Sequence, residues 1–197
     1  MRTSFVLGLT LVGCIPNLET GKDTDEPWSC PTNQWDVAEP PSGLEGSGFF
    51  EGQVLRDAQL TDQNGDTTCL WQFYGDVLVV DVSTVWCGPC QELAADVEET
   101  AEHYADDNVT YVTILTEDEG RNEPIVQDLA DWGEYFGITQ PILMDPQAFY
   151  SGSSLDGGNY PAIMVVDRTM TVRSRITSQP SDAKIRAAID ELLAAED

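Results

Sequence analysis

Two cysteines separated by two residues, Cys87-Gly88-Pro89-Cys90, can close a small disulfide ring and, when reduced, pass two electrons to another disulfide by thiol exchange. The run before them, Val79-Val80-Asp81-Val82-Ser83-Thr84-Val85-Trp86, joins an apolar strand to this pair on a turn, and an amphipathic helix follows. Thiols at the start of a helix differ chemically from thiols elsewhere, because the amides of the first turn stabilise a thiolate on the first cysteine. Cys87 is therefore the expected nucleophile and Cys90 its resolving partner.

The elements that must hold this pair alternate in the βαβ manner. Val77 to Val82 reads as a buried strand, and Pro89 to Ala105 as a helix with Leu93, Val97, Ala101 and Tyr104 on one face. Val109 to Leu115 is the next strand. Glu123 to Phe136 reads as a helix with Val126, Leu129 and either Tyr135 or Phe136 inward, stopped by Gly137. A short strand is expected at Ile142 to Met144, then a glycine-rich loop over Gln147 to Tyr160, then an antiparallel pair, Ala162 to Val166 and Thr171 to Ile176. Ser181 caps a last helix whose apolar stripe is Ile185, Ala188, Ile189, Leu192 and Leu193. Upstream, Phe49 to Arg56 and Thr67 to Phe73 are strand-like, and Asn64-Gly65 between them predicts a hairpin. The acidic run Asp62 to Asp66 has some flavour of a calcium loop but lacks the later bidentate glutamate, so it reads as a turn. The chemistry-bearing elements fit one domain over residues 49–197.

Composition excludes some partners. Asp and Glu number 35 against 9 Lys and Arg, a formal charge of −26, which would repel a phosphate backbone and argues against nucleic-acid binding. The hydrophobic share of 41% is ordinary for a folded domain, so the charge reads as a solubilising surface rather than a disordered acidic chain.

Residues 1–13 read as an export signal: Arg2 precedes the short apolar run Phe5 to Val12, which is too brief to span a bilayer. The run ends Leu11-Val12-Gly13-Cys14, which resembles the bacterial lipobox, and that resemblance implies lipidation at Cys14. Ile15 is not the aspartate typical of inner-membrane retention, so the resemblance leans toward the outer membrane. An ordinary signal with a chance cysteine is the alternative. Residues 14–48, rich in Asp, Glu, Pro, Gly and Ser, read as a tether with a partly ordered end. If Cys14 carries lipid, four cysteines remain for an oxidising compartment, and Cys87 with Cys90 leaves Cys30 with Cys69. A Cys30–Cys69 bridge would contribute about 3 to 4 kcal/mol in the chain-entropy model, and two free thiols are the alternative.

Trp86-Cys87-Gly88-Pro89-Cys90 resembles the thioredoxin active site, and the order of elements from Val77 to Ala195 resembles the thioredoxin fold. The expected fold is α/β, a central mixed sheet flanked by helices, with an N-terminal hairpin extension and a central insertion near residues 138–160. Hairpin, tether and insertion are most similar to the TlpA/ResA group of extracytoplasmic, membrane-anchored thioredoxin-like proteins. The resemblance implies three roles. Asp81, six residues before Cys87, is the buried carboxylate that accepts the proton of Cys90. Pro161 is the family's cis-proline, with Tyr160 before it facing the disulfide. Trp86 shields the dithiol, and with Gly88, Pro89, Tyr160 and Pro161 it forms the surface that meets a partner.

Departures from the family pattern are also visible. No lysine occurs between Lys22 and Lys184, so the cation that cytosolic thioredoxins keep near the carboxylate is missing, and Glu92 stands just after Cys90. Competing chemistries fit less well. A peroxidase using Thr84 and Cys87 would want proline where Val80 stands; a copper chaperone of the Sco type wants cysteines spaced by three and a distant histidine, whereas His103 is on the following helix. Zinc lacks two further ligands. The expectation is an exported thiol-disulfide oxidoreductase without cofactor or metal, reducing disulfides of envelope proteins. The alternatives are an oxidase, a thiol peroxidase, or a non-enzymatic binding module.

Overall fold

The computed structural model describes residues 27–145 and 159–196. The signal, Cys14 and most of the loop expected before Tyr160 lie outside the described residues. Strands β1 (Gln59–Asp62), β2 (Thr67–Cys69), β3 (Val77–Ser83), β4 (Val109–Leu115), β5 (Ile142–Met144), β6 (Ala162–Val166) and β7 (Val172–Ile176) are joined with helices α1 (Gly88–Ala94), α2 (Val97–His103), α3 (Val126–Phe136) and α4 (Asp182–Glu196). The strands form one sheet in the order β2-β1-β5-β4-β3-β6-β7. β3, β4 and β5 are mutually parallel neighbours; the remaining pairings are antiparallel. This is the mixed α/β sheet expected from the pattern, with β3 near its centre.

β3 is buried at every position, so its alternation sorts side chains between two apolar cores instead of between core and water. Val77 and Val79 enter the core on one face, together with Leu93 of α1, Val97 and Ala101 of α2, Leu129 and Trp132 of α3, and Ile185 and Ile189 of α4. Leu78, Val80 and Val82 enter the opposite core. All four helices thus contribute to one face. The other face is covered by the leader: Trp28, Trp35 and Leu44 pack there, beside Trp71 and Phe73 of a 3-10 turn at Leu70–Phe73.

That packing corrects the boundary expected at residue 48. The leader from Trp28 onward is part of the domain, held by Trp28 Nε1 donating to Asp57 at 2.8 Å and Trp35 Nε1 donating to the buried Asp62 at 2.7 Å. Cys30 and Cys69 are bonded, with their Cα atoms 5.9 Å apart. Aromatic residues scattered in a polar stretch carry no periodicity, which is why the segment reads as a tether from sequence.

The hairpin also differs. Its turn is at Asn64-Gly65 as predicted, with Gly65 at φ +85 and the Asp62 carboxylate accepting from the backbone of Asn64 and Asp66. Its first strand, however, is β1 rather than Phe49 to Arg56, because the two-sided pairing of Gln59 with Cys69 and Thr61 with Thr67 needs a strand adjoining the turn. Phe49 to Arg56 instead bends at Gly52, and Gly52 and Gln53 exchange backbone bonds with Val172 on edge strand β7. Two helices are shorter than their apolar pattern. The helix after the dithiol breaks at Ala95–Asp96 into α1 and α2, yet Leu93, Val97, Ala101 and Tyr104 all stay buried. Pro124 keeps residue 123 from helical backbone, so α3 starts at Val126, with Asp128 accepting from the Ile125 amide at 2.8 Å. Gly137 ends it at φ +72; Trp132 is the buried aromatic, while Tyr135 is 82% exposed.

Replacing both Cys30 and Cys69 with serine is expected to lower the unfolding free energy by about 3 kcal/mol, read by urea denaturation with Cys87–Cys90 left oxidised. An unchanged midpoint and slope would show that the leader is held without the bridge.

Candidate active site

Cys87 ends the turn after β3 and precedes α1, whose second residue is Pro89, a position where the missing amide costs nothing. The Cys87 carbonyl accepts from Cys90 and Gln91, and the Cys90 amide also donates to Cys87 Sγ at 3.3 Å. That amide is aimed at the atom where thiolate charge would sit. Cys87 and Cys90 are bonded to each other and nearly sealed, with 4% and 0% exposure, whereas Gly88 and Pro89 between them face solvent.

Asp81 lies on the strand that leads to the pair. It is 1% exposed and follows Val77 and Val79 on the helix-covered face of β3, flanked by Thr113 of β4 and Ile163 of β6. Burial pushes its carboxyl from 3.8 up to about 7; hydrogen bonds from Ser83 and Tyr111 pull in the opposite direction without cancelling it. The Ser83 hydroxyl donates to Asp81 Oδ1 at 2.6 Å. The Tyr111 phenol is driven well above its ordinary value by its own burial and then by the Asp81 charge, so it remains a donor. Two hydroxyls are therefore the side-chain hydrogen-bond partners of this carboxyl. A carboxyl group poised near neutrality can hold or release one proton at the pH where thiols exchange.

Trp86 is half-buried against the dithiol core. Its Nε1 donates to Glu117 Oε2 at 2.7 Å, its ring meets Tyr160 edge-on at 6.1 Å, and the Arg121 guanidinium lies 4.1 Å from its centroid. The Tyr160–Pro161 peptide bond is cis. The Tyr160 hydroxyl accepts from Thr116 at 2.9 Å, and Val85 donates to the Glu117 carbonyl. Pro89, Glu92, Tyr160, Pro161 and the Thr177–Pro180 turn line an open groove of about 680 Å³ beside the dithiol.

The structure brings together Trp86, Cys87, Gly88, Pro89, Cys90, Tyr160 and Pro161, and it buries Asp81 on the strand that leads to Cys87. Cys30 and Cys69 lie apart, under the leader. Sequence reading missed Ser83, Tyr111, Glu117 and Arg121. Ser83 was legible, two residues beyond Asp81 on the same strand face; the loop residues carry no periodic signal.

A mixed sheet of this order with a dithiol at a helix start defines a thioredoxin-like protein. The chain belongs to the AhpC/TSA family, whose model matches residues 52–175. It is 26% identical over 120 residues to the thioredoxin-like protein YneN of Bacillus subtilis, spanning 61% of this chain and 67% of that one. Its fold is shared with a DsbF homologue from Corynebacterium diphtheriae (TM-score 0.61, 19% identity, 81% of this chain and all of that one). It is also shared with a thiol:disulfide interchange protein of the thioredoxin family from Chlorobium tepidum (TM-score 0.58, 20% identity, 70% and 93% covered). These relations support the TlpA/ResA resemblance and a redox function.

Asp81 also sets a pH dependence of stability. Its carboxyl binds a proton more tightly folded than unfolded, so its favourable contribution is complete below about pH 3.8 and is lost as pH rises through about 7. At 1.36 kcal/mol per unit, the loss is on the order of 4 kcal/mol. Asp81→Asn should therefore match the wild type at pH 4 and exceed its stability by several kcal/mol at pH 8 in urea denaturation. Equal stability at both pH values would mean that the carboxyl is not held in an apolar site.

Proposed function

We propose that this chain is an exported thiol-disulfide oxidoreductase, anchored through Cys14, that reduces disulfides in proteins of the bacterial cell envelope. The observation that carries the reading is the Cys87–Cys90 pair at the start of α1, preceded on the same chain segment by a strand with the buried carboxyl group Asp81. In the reduced protein, the Cys87 thiolate attacks one sulfur of the partner disulfide; that bond breaks, a mixed disulfide forms and the partner's other sulfur leaves as thiolate. Asp81 takes the Cys90 proton, Cys90 attacks Cys87 Sγ, and the partner's second thiolate is released. Two electrons pass to the partner, leaving Cys87–Cys90 oxidised. Trp86, Gly88, Pro89, Tyr160 and Pro161 border the groove where the partner's chain would lie. Location outside the cytoplasm is supported by the signal-like residues 1–13 and by the likeness to a secreted disulfide oxidoreductase of Mycobacterium tuberculosis homologous to the DsbE of E. coli.

A peroxide-reducing activity has one observation in its favour. Thr84, three residues before Cys87, is fully buried, and its hydroxyl is unpartnered among the described residues. Val80 in place of proline weighs against it.

The test is equilibration of Cys87–Cys90 across a dithiol redox series with thiol trapping. A potential near about −270 mV supports the reductase direction, and one toward about −120 mV an oxidase. Cys90→Ser should accumulate a mixed disulfide with a disulfide-bonded protein substrate, seen as a reductant-sensitive band, while Cys87→Ser should give none. A pair that cannot be reduced sinks the reading in favour of a binding module, and rapid peroxide consumption would favour the peroxidase.

A further inference from the structure

Arg121 is the sole lysine or arginine between Arg56 and Arg168, and it lies on the tryptophan of the dithiol. The loop after β4 is built to place it. The Asp118 carboxylate accepts from the Asn122 amide at 2.7 Å, Asp118 and Asn122 are joined by a backbone bond, and the Arg121 amide donates to the Asp118 carbonyl at 3.1 Å. Arg121 itself has φ +64, a left-handed backbone that favours glycine over arginine. Its side chain is spread on Trp86, whose edge is held by Glu117 and whose position is shared with Tyr160. Among the described residues no carboxylate is ion-paired with it, although Glu117, Asp118, Glu119 and Glu123 stand within a few residues.

The Cys90 amide at the start of α1 favours a thiolate on Cys87, but most charged side chains around it oppose one. The titratable and charged groups on the elements around it are Asp81 on β3, Tyr111 on β4, Cys90 and Glu92 on α1, Glu117, Asp118, Glu119, Arg121 and Glu123 on the loop after β4, Tyr160 before Pro161, and Lys184 on α4. The two cations among them are Arg121, which lies on Trp86, and Lys184, whose ammonium donates to the Ser178 and Gln179 carbonyls of the turn across the groove. Negative neighbours raise a thiol's pKa, and the chain's net charge of −26 adds to them.

We propose that Arg121 is the positioning cation of this site: stacked on Trp86, it offsets the surrounding negative charge and keeps Cys87 as a thiolate in the reduced protein. The cation lies on the ring that packs against the dithiol core, so its charge acts on the sulfurs across the indole as well as through solvent. Trp86 thereby holds a charge as well as covering the sulfurs. The inference rests on Cys87 being the nucleophile, as proposed above.

The test is the pH dependence of iodoacetamide alkylation at Cys87 in the reduced full-length protein, with the modified cysteine assigned by peptide mass, in wild type, Arg121→Met and Arg121→Lys. Arg121 is exposed, so neither variant removes core packing. Methionine keeps an apolar contact with the ring but loses the charge, and its apparent Cys87 pKa should rise by about half to one unit, with alkylation at pH 7 slowed about three- to tenfold. Lysine should stay within about twofold of wild type. A methionine variant that titrates like wild type overturns the proposal, as does equal slowing in both variants, which would assign the effect to stacking geometry. If wild-type Cys87 itself titrates at the ordinary value of about 8.5, the reading of Cys87 as an activated nucleophile falls first, and the proposal with it.

Discussion

Asp81 is a carboxyl group in the middle of a strand that is otherwise apolar or hydroxylic and buried throughout. Nothing in the packing of β3 requires it, since a valine would serve the sheet at lower cost. In the mechanism proposed above, its place on the strand that leads to Cys87 serves proton transfer at the dithiol. Desolvation raises the carboxyl to about 7, and the Ser83 hydroxyl donates to it at 2.6 Å. The sheet on both sides must stay closed for that environment to persist. The seven-residue parallel register of β3 with β4 and the antiparallel register with β6 are what keep water from the carboxyl.

The two faces of the sheet divide the work. The helix face holds the dithiol, with α1 setting the sulfurs and α4 closing the far side through Ile185 and Ile189. The opposite face is covered by the leader, through Trp28, Trp35 and Leu44 with the Cys30–Cys69 bond. Had that face stayed open, Leu78, Val80 and Val82 would meet water directly behind Asp81. Covering it is therefore part of how the site stays dry, and it explains why an acidic, proline-rich segment carries two tryptophans.

The central fold was legible because its signals are local. An apolar run, a Cys-Gly-Pro-Cys turn and an amphipathic stripe identify β3, α1 and α2 without knowledge of their partners, and Gly137 marks the end of α3 by its backbone preference alone. Motif positions on those elements named Asp81, Cys87, Cys90 and the Tyr160–Pro161 pair, which the structure shows as a buried carboxyl, a bonded pair and a cis peptide, with their roles as proposed above. What was not legible depends on tertiary placement. The segment from Phe49 to Arg56 has a strand's composition but spends its backbone on edge strand β7, and Trp28 and Trp35 find their carboxylate acceptors 29 and 27 residues away. Glu117 and Arg121 belong to a loop, where spacing carries no period, and only its docking beside Trp86 brings them to the site.

The most direct measurement of the central claim is the titration of the Asp81 side chain itself, followed by its carboxyl carbon-13 shift in oxidised protein labelled at aspartate and assigned through Asp81→Asn. A midpoint near pH 7 is predicted. A midpoint below about 5, within the range of solvated carboxylates, would mean that the group is already ionised at neutral pH and cannot serve as the proton acceptor of Cys90.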